Sequence, residues 1–113
     1  MAQFKEIESL EEWNTLLESS TEQPVVVFKH STTCPVSANA FKEFQNYLQG
    51  NANPDVNYVL VKVIESRPVS NQIAEDVAVK HESPQIILIK DKEKVWSTSH
   101  WAITQEHMTA VLN

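Results

Sequence analysis

Apolar residues recur along this chain at two different periods, and the switches between them mark out its elements. Leu10, Trp13, Leu16 and Leu17 return every three or four residues behind Ser9 and Glu12, which have capping-box spacing, so a helix is predicted over 10–19. Pro24 then opens Val25-Val26-Val27-Phe28-Lys29-His30, a mostly β-branched run that reads as a strand covered on both faces. Ala40, Phe41, Phe44, Tyr47 and Leu48 share one face of a helix predicted over 35–49. Gly50, the only glycine, stands where a left-handed residue would end that helix. A polar turn through Asn51-Ala52-Asn53-Pro54-Asp55 leads to a second strand, predicted from Val56 to Ile64.

The second half changes rhythm. Val69, Ile73 and Val77 at four-residue spacing predict a helix around 69–80. Gln85 to Lys90 and Val95 to Ser99 then read as an antiparallel hairpin across the charged turn Asp91-Lys92-Glu93-Lys94. Thr104 caps a last helix, to about Leu112, with Met108, Val111 and Leu112 facing inward. Strand, helix, strand in the first half implies a parallel pair with a right-handed crossover. The order α-βαβ-α-ββ-α is that of the thioredoxin fold, an α/β architecture. The expectation is a central mixed four-stranded sheet, a parallel pair plus an antiparallel hairpin, flanked by helices. In that arrangement Ser83-Pro84, directly before a buried strand, is the candidate for a cis peptide bond. Its loop would lie beside the helix that follows the first long strand, where the backbone of Ser83 could pair with an extended substrate by strand addition.

Composition narrows the function classes. A chain of 113 residues, 42% hydrophobic and 21% charged, is expected to form a single domain over 1–113. A net charge of −6 with Arg67 as the only arginine argues against a nucleic-acid surface. No stretch approaches the ~20 apolar residues of a membrane helix, and Met1 to Glu6 lack an apolar signal core, so a cytoplasmic location is expected. One cysteine cannot form an internal bridge, which points to a reducing compartment.

That cysteine, Cys34, is the candidate chemistry. It sits where the strand gives way through Ser31-Thr32-Thr33 to a helix opening with Pro35. The first turn of a helix leaves backbone N–H groups unpaired and carries partial positive charge, which favours a thiolate, the species that attacks a disulfide. Pro35 lacks an N–H and has φ fixed near helical values, so it suits the first helical position. Cys34-Pro35-Val36-Ser37 has the spacing of a Cys-x-x-Cys motif with a hydroxyl in place of the second sulfur. Ser37 would lie one turn from the sulfur, able to donate a hydrogen bond to it but not to close a disulfide. The bland alternative is a cysteine buried as a small apolar side chain. The polar run Ser31-Thr32-Thr33 speaks against it. His30 is placed either to tune the thiol or to serve as an ordinary hydrogen-bonding residue. Trp101 either borders a substrate groove or packs under the last helix, while Trp13 and Trp96 read as packing residues. His81, His100 and His107 lack metal-ligand spacing with Cys34, so no metal is expected.

Phe28-Lys29-His30-Ser31-Thr32-Thr33-Cys34-Pro35-Val36-Ser37, followed by Ser83-Pro84-Gln85 and Ser99-His100-Trp101, resembles the monothiol bacilliredoxin family over nearly the whole chain. The resemblance implies a thiol–disulfide oxidoreductase that removes bacillithiol, a sugar-linked cysteine derivative bearing a malate, from oxidised client proteins. By that analogy Cys34 attacks, within the motif residues Thr33, Pro35 and Ser37. Bacillithiol is co-substrate, no cofactor is tightly bound, and free bacillithiol or another redoxin restores the thiol. The carboxylates of bacillithiol would meet helix-terminal N–H groups and Lys29. Three other classes share parts of this pattern. A glutaredoxin-like iron–sulfur carrier is weakened by Pro35-Val36 and by the lack of further glycines. Ser31-Thr32-Thr33-Cys34 also resembles the Thr-x-x-Cys of peroxidases of the peroxiredoxin type, but Val27 stands where their proline belongs and Arg67 is the only arginine available to the sulfur. A non-enzymatic interaction domain would keep the fold alone.

Overall fold

The central strand explains the order of everything around it. In the computed structural model, which describes residues 2–50 and 52–113, β2 (Val25–His30) is buried from Val25 to Lys29, as a strand covered on both faces must be. Before it come β1 (Phe4–Glu6) and α1 (Leu10–Ser19); after it α2 (Pro35–Gln49), β3 (Asn57–Lys62) and α3 (Arg67–Asp76). The chain continues through β4 (Gln85–Lys90), β5 (Glu93–Ser99), a 3-10 turn (His100–Ala102) and α4 (Gln105–Leu112). The sheet order is β1-β3-β2-β4-β5, with β1, β3 and β2 parallel, β4 antiparallel to β2, and β5 antiparallel to β4. The four expected strands and the thioredoxin-like arrangement are present. A fifth, β1, adds the edge, because Phe4, Lys5 and Glu6 find parallel partners in Tyr58, Val59 and Leu60.

Local chemistry sets the element ends. Ser9 Oγ accepts the Glu12 N–H at 3.1 Å and Glu12 Oε1 accepts the Glu8 N–H at 3.0 Å, which starts α1. Helix α3 begins two residues earlier than predicted, at Arg67, because Pro68 fits a first turn. It stops at Asp76 rather than near 80, where Ala78 turns to a φ of 54°. Strand β3 ends at Lys62 rather than Ile64, because the Ser66 N–H reaches back to the Lys62 carbonyl at 2.8 Å and closes a turn. Gly50 is not left-handed: its φ is −95°, and its N–H donates to the Tyr47 carbonyl as the chain leaves α2. Of the polar turn that follows, Asn51 lies outside the described residues. The hairpin turn is also tighter than the charge run suggests. Only Asp91 and Lys92 form it, with φ of 50° and 64°, while Glu93 and Lys94 already pair in β5. Ser20 holds this left-handed pair in place, its carbonyl accepting the Asp91 N–H at 2.9 Å and its Oγ accepting the Lys92 N–H at 2.8 Å.

Side-chain alternation along the strands divides the core in two. Val26, Phe28, Leu60, Ile86 and Leu88 pack with Phe44, Tyr47, Leu48, Met108 and Leu112 on the α2 and α4 face. Val25, Val27, Val59, Val61, Ile87 and Ile89 pack with Trp13, Val69 and Ile73 on the α1 and α3 face. Phe44 is the pivot of the first layer, stacked on Phe28 at 4.9 Å between ring centres and edge-on to Tyr58 at 6.3 Å. Phe44→Ala is therefore expected to lower unfolding stability by about 3–5 kcal/mol in urea titrations, and Val95→Ala, on the exposed edge strand, by less than about 0.5 kcal/mol.

Candidate active site

Pairing register gathers three distant segments at one end of the sheet. His30 at the end of β2 stands opposite Lys62 at the end of β3, Lys29 opposite Gln85 at the start of β4, and Gln85 opposite Ser99 at the end of β5. Residues 31–34, 83–84 and 100–102 therefore all leave the sheet on the same side, the usual place for ligands in open α/β sheets. The Ser83–Pro84 peptide is cis, as expected, and the Pro84 carbonyl accepts the His100 N–H at 3.0 Å. Trp101 follows directly, 66% exposed, so it borders solvent rather than packing under α4.

Cys34 is the N-cap of α2, with φ −105° and ψ 124°, and Pro35 opens the helix. Its N–H donates to the Ser31 carbonyl at 3.4 Å and its carbonyl accepts the Ala38 N–H at 3.0 Å, while its side chain makes no capping hydrogen bond. Cys34 is half-buried, with its thiol free of any capping hydrogen bond, between exposed Thr33 and Pro35. Side-chain contacts tie down the loop that leads to it. Ser31 Oγ lies 3.4 Å from Thr33 Oγ1, and Thr32 Oγ1 donates to Glu65 Oε2 at 3.3 Å.

Ser37 does something other than face the sulfur. Its side chain is fully buried; its Oγ accepts the Ser31 N–H at 2.9 Å and lies 2.8 Å from His30 Nδ1. Among the described residues no hydrogen bond joins it to Cys34, which corrects the expectation of a serine donating to the thiolate. The reason is that the Ser31 N–H is buried in a loop and would otherwise be an orphan donor. His30 stands on the α2 face, its ring stacked on Phe41 at 4.8 Å between centres. Burial holds its imidazole below the ordinary histidine range, the Lys62 cation pushes the same way and Glu65 opposes.

Lys29 lies on the opposite face. It is fully buried, its Nζ donating to the Ser70 carbonyl at 3.0 Å and lying 3.3 Å from His81 Nδ1. It does not meet substrate carboxylates, because β-strand alternation sends it behind the sheet with Val25 and Val27. Burial pulls its amine down to about 8. Its partners Ser70, His81 and the neighbouring Gln85, whose Nε2 donates to the Lys80 carbonyl at 3.0 Å, carried no sequence signal. The parity of position 29 with Val25 and Val27 was the signal that could have placed it. The other singled-out residues are structural or peripheral. Trp13 is buried and donates its indole N–H to Asp76 at 2.8 Å; Trp96 packs edge-on to His107 at 5.2 Å. Among the described residues no group of three or more His, Cys, Asp or Glu side chains is placed to share a metal ion. Among them, too, no helix is long and apolar enough to cross a membrane.

Comparisons with known proteins agree with this geometry. The model of the family described as monothiol bacilliredoxin BrxC matches residues 5–108. A solved structure described as a candidate oxidoreductase with a thioredoxin fold is 32% identical, with a TM-score of 0.81 over 94% of this chain and 90% of that one. Malassezia sympodialis thioredoxin superposes with a TM-score of 0.77 at 18% identity, covering 99% of this chain and 90% of its own. Thioredoxin f from spinach chloroplast gives 0.74 at 11% identity, covering 98% and 91%. These last two show the fold alone.

The buried lysine makes a pH prediction. Its folded value, about 8, lies below the free value of 10.5, so the unfolded chain binds the proton more tightly. Lys29 therefore destabilises the fold fully below pH 8, and that penalty fades as pH rises from 8 towards 10.5, by an amount on the order of 3 kcal/mol. Lys29→Met is expected to be at least as stable as wild type at neutral pH and to lack this rise, checked by urea midpoints across that range.

Proposed function

The chain belongs to the monothiol bacilliredoxin family, and from that premise we propose that Cys34 is the nucleophile that takes bacillithiol from client proteins. The protein is a thiol–disulfide oxidoreductase of bacilliredoxin type. One observation supports the assignment of the residue: the only cysteine in the chain is half-buried, heads α2 with its thiol free of any capping hydrogen bond, and lies at the sheet end that carries the cis Ser83–Pro84 loop.

The chemistry follows from one thiol. The Cys34 thiolate attacks the bacillithiol sulfur of the mixed disulfide, a bond forms between those two sulfurs, and the client cysteine departs as thiolate to be protonated by water. No net oxidation occurs in this exchange. Bacillithiol is now joined to Cys34, and Ser37 offers no resolving sulfur. A second bacillithiol thiolate attacks that disulfide, releasing Cys34 and bacillithiol disulfide; a thiol of another redoxin would serve in the same role. Thr33 and Pro35 shape the approach to the sulfur, the backbone of Ser83 pairs with the extended client segment, and exposed Trp101 offers it an apolar surface. The reducing cytoplasm is the compartment in which such exchange runs.

Intact-mass measurement of the protein mixed with a bacillithiolated client tests this. The mass of one bacillithiol moves to the wild-type chain and the client appears unmodified, while Cys34→Ser leaves both masses as they began. Transfer to Cys34→Ser, or none to wild type, overturns the assignment. Trp101→Ala is expected to slow the transfer from a protein client more than from bacillithiol disulfide, read as the ratio of the two rates.

A further inference from the structure

With Lys29 buried behind the sheet, the carboxylates of bacillithiol need another cation, and the end of the sheet that carries Cys34 offers few. Lys62 is paired with Glu6 at 3.5 Å, and Lys80 stands behind the sheet with its carbonyl against the Gln85 amide. Arg67, the only arginine in the chain, is exposed. Among the described residues no ion pair or side-chain hydrogen bond engages it.

Hydrogen bonds on two sides fix where that arginine stands. The turn between β3 and α3 is stitched to the segment that leads to Cys34: the Val63 N–H donates to the His30 carbonyl at 3.0 Å, and Thr32 Oγ1 donates to Glu65 Oε2 at 3.3 Å. Helix α3 starts directly after that turn, at Arg67. Ser70, three residues on and so on the same side of the helix, has its Oγ 3.4 Å from His81 Nδ1, while its carbonyl accepts from Lys29 Nζ at 3.0 Å. Arg67 therefore stands between the Cys34 loop and the segment from His81 to Pro84, close enough to His81 to oppose protonation of its ring. No acidic side chain lies in the first turn of α3 and Ser66 makes no side-chain capping hydrogen bond, so the helix start adds partial positive charge to the guanidinium. The acids nearby are Glu65, which accepts from Thr32, and Glu82, which acts on His81.

We infer that Arg67 is a specificity residue of this site, its guanidinium receiving a carboxylate of the malate arm while the bacillithiol sulfur meets Cys34. The inference rests on the substrate reading above and names the group that recognises the acid end of that substrate. A planar guanidinium presents parallel N–H groups that one carboxylate accepts as a pair, whereas an ammonium acts as a point charge. Arg67 takes no part in the sulfur exchange itself. Its contribution therefore depends on the charge of the small thiol and vanishes for a neutral one.

Alkylation tests the placement without bacillithiol, because iodoacetate and iodoacetamide share a leaving group and differ by one carboxylate. Intact mass reads each rate at the single cysteine. Arg67→Gln is expected to lower the ratio of iodoacetate to iodoacetamide rates roughly threefold at low salt, with the iodoacetamide rate as in wild type, and Arg67→Lys to keep most of the ratio. A folded Arg67→Gln protein with the wild-type ratio overturns the placement. The second measurement uses one client whose cysteine carries either bacillithiol or mercaptoethanol. Arg67→Gln is expected to slow bacillithiol transfer to Cys34 roughly tenfold, and Arg67→Lys by less, with mercaptoethanol transfer unchanged. Bacillithiol transfer at the wild-type rate, or equal slowing of both transfers, overturns the inference. A wild-type protein that shows the Arg67-dependent alkylation ratio yet takes no bacillithiol would defeat the substrate reading alone and leave Arg67 as a carboxylate site beside Cys34.

Discussion

Period-two alternation along β2 is the constraint on which the rest of the site depends. A strand covered on both faces can place successive residues only in front of or behind the sheet. Phe28 and His30 therefore face α2, and Lys29 faces α3. Neighbours in sequence end up in separate chemical environments. His30 joins the helix that carries the sulfur; Lys29 becomes a buried cation held by Ser70 and His81, with no carboxylate among its hydrogen-bond partners. Such a group weakens the fold at neutral pH rather than serving a ligand, since desolvating a cation outweighs what a carbonyl and an imidazole return.

The start of α2 shows how a single side chain can hold a loop and join it to a neighbouring strand. The segment from Ser31 to Cys34 has a buried backbone donor, and Ser37 reaches back six positions to satisfy it. A cysteine at position 37 would accept that hydrogen bond weakly, because sulfur is a poor acceptor. The monothiol pattern is thus tied to loop geometry as well as to redox stoichiometry. It removes the resolving sulfur and at the same time provides an oxygen that secures the loop and contacts His30.

Convergence of the three segments at one sheet end follows from strand direction. Strands β2, β3 and β5 finish where β4 begins, so Cys34, the cis Ser83–Pro84 loop and Trp101 leave the sheet at the same end although Cys34 precedes Ser83 by 49 residues and Trp101 by 67. A concavity of about 610 Å³ lies elsewhere, lined in part by Lys5, Thr15, Leu16 and Asn57, and includes none of these residues.

Much of this was legible in the chain. Hydrophobic periodicity located α1, β2, α2, β4 and α4, because each has a strong repeat and an identifiable capping or breaking residue. Cys34 and Ser83-Pro84 stood out for the same kind of local reason, a rare residue type at an element boundary. Strand β1 escaped because three residues carry too little pattern, and it exists only through its pairing with β3. The partners of Ser37, the hydrogen-bond partners that hold Lys29 and the exposure of Trp101 were decided by tertiary structure, whereas the face Lys29 takes follows from its parity with Val25 and Val27. Hydrogen-bond satisfaction and burial depend on what lies across the sheet, and sequence spacing carries no record of it.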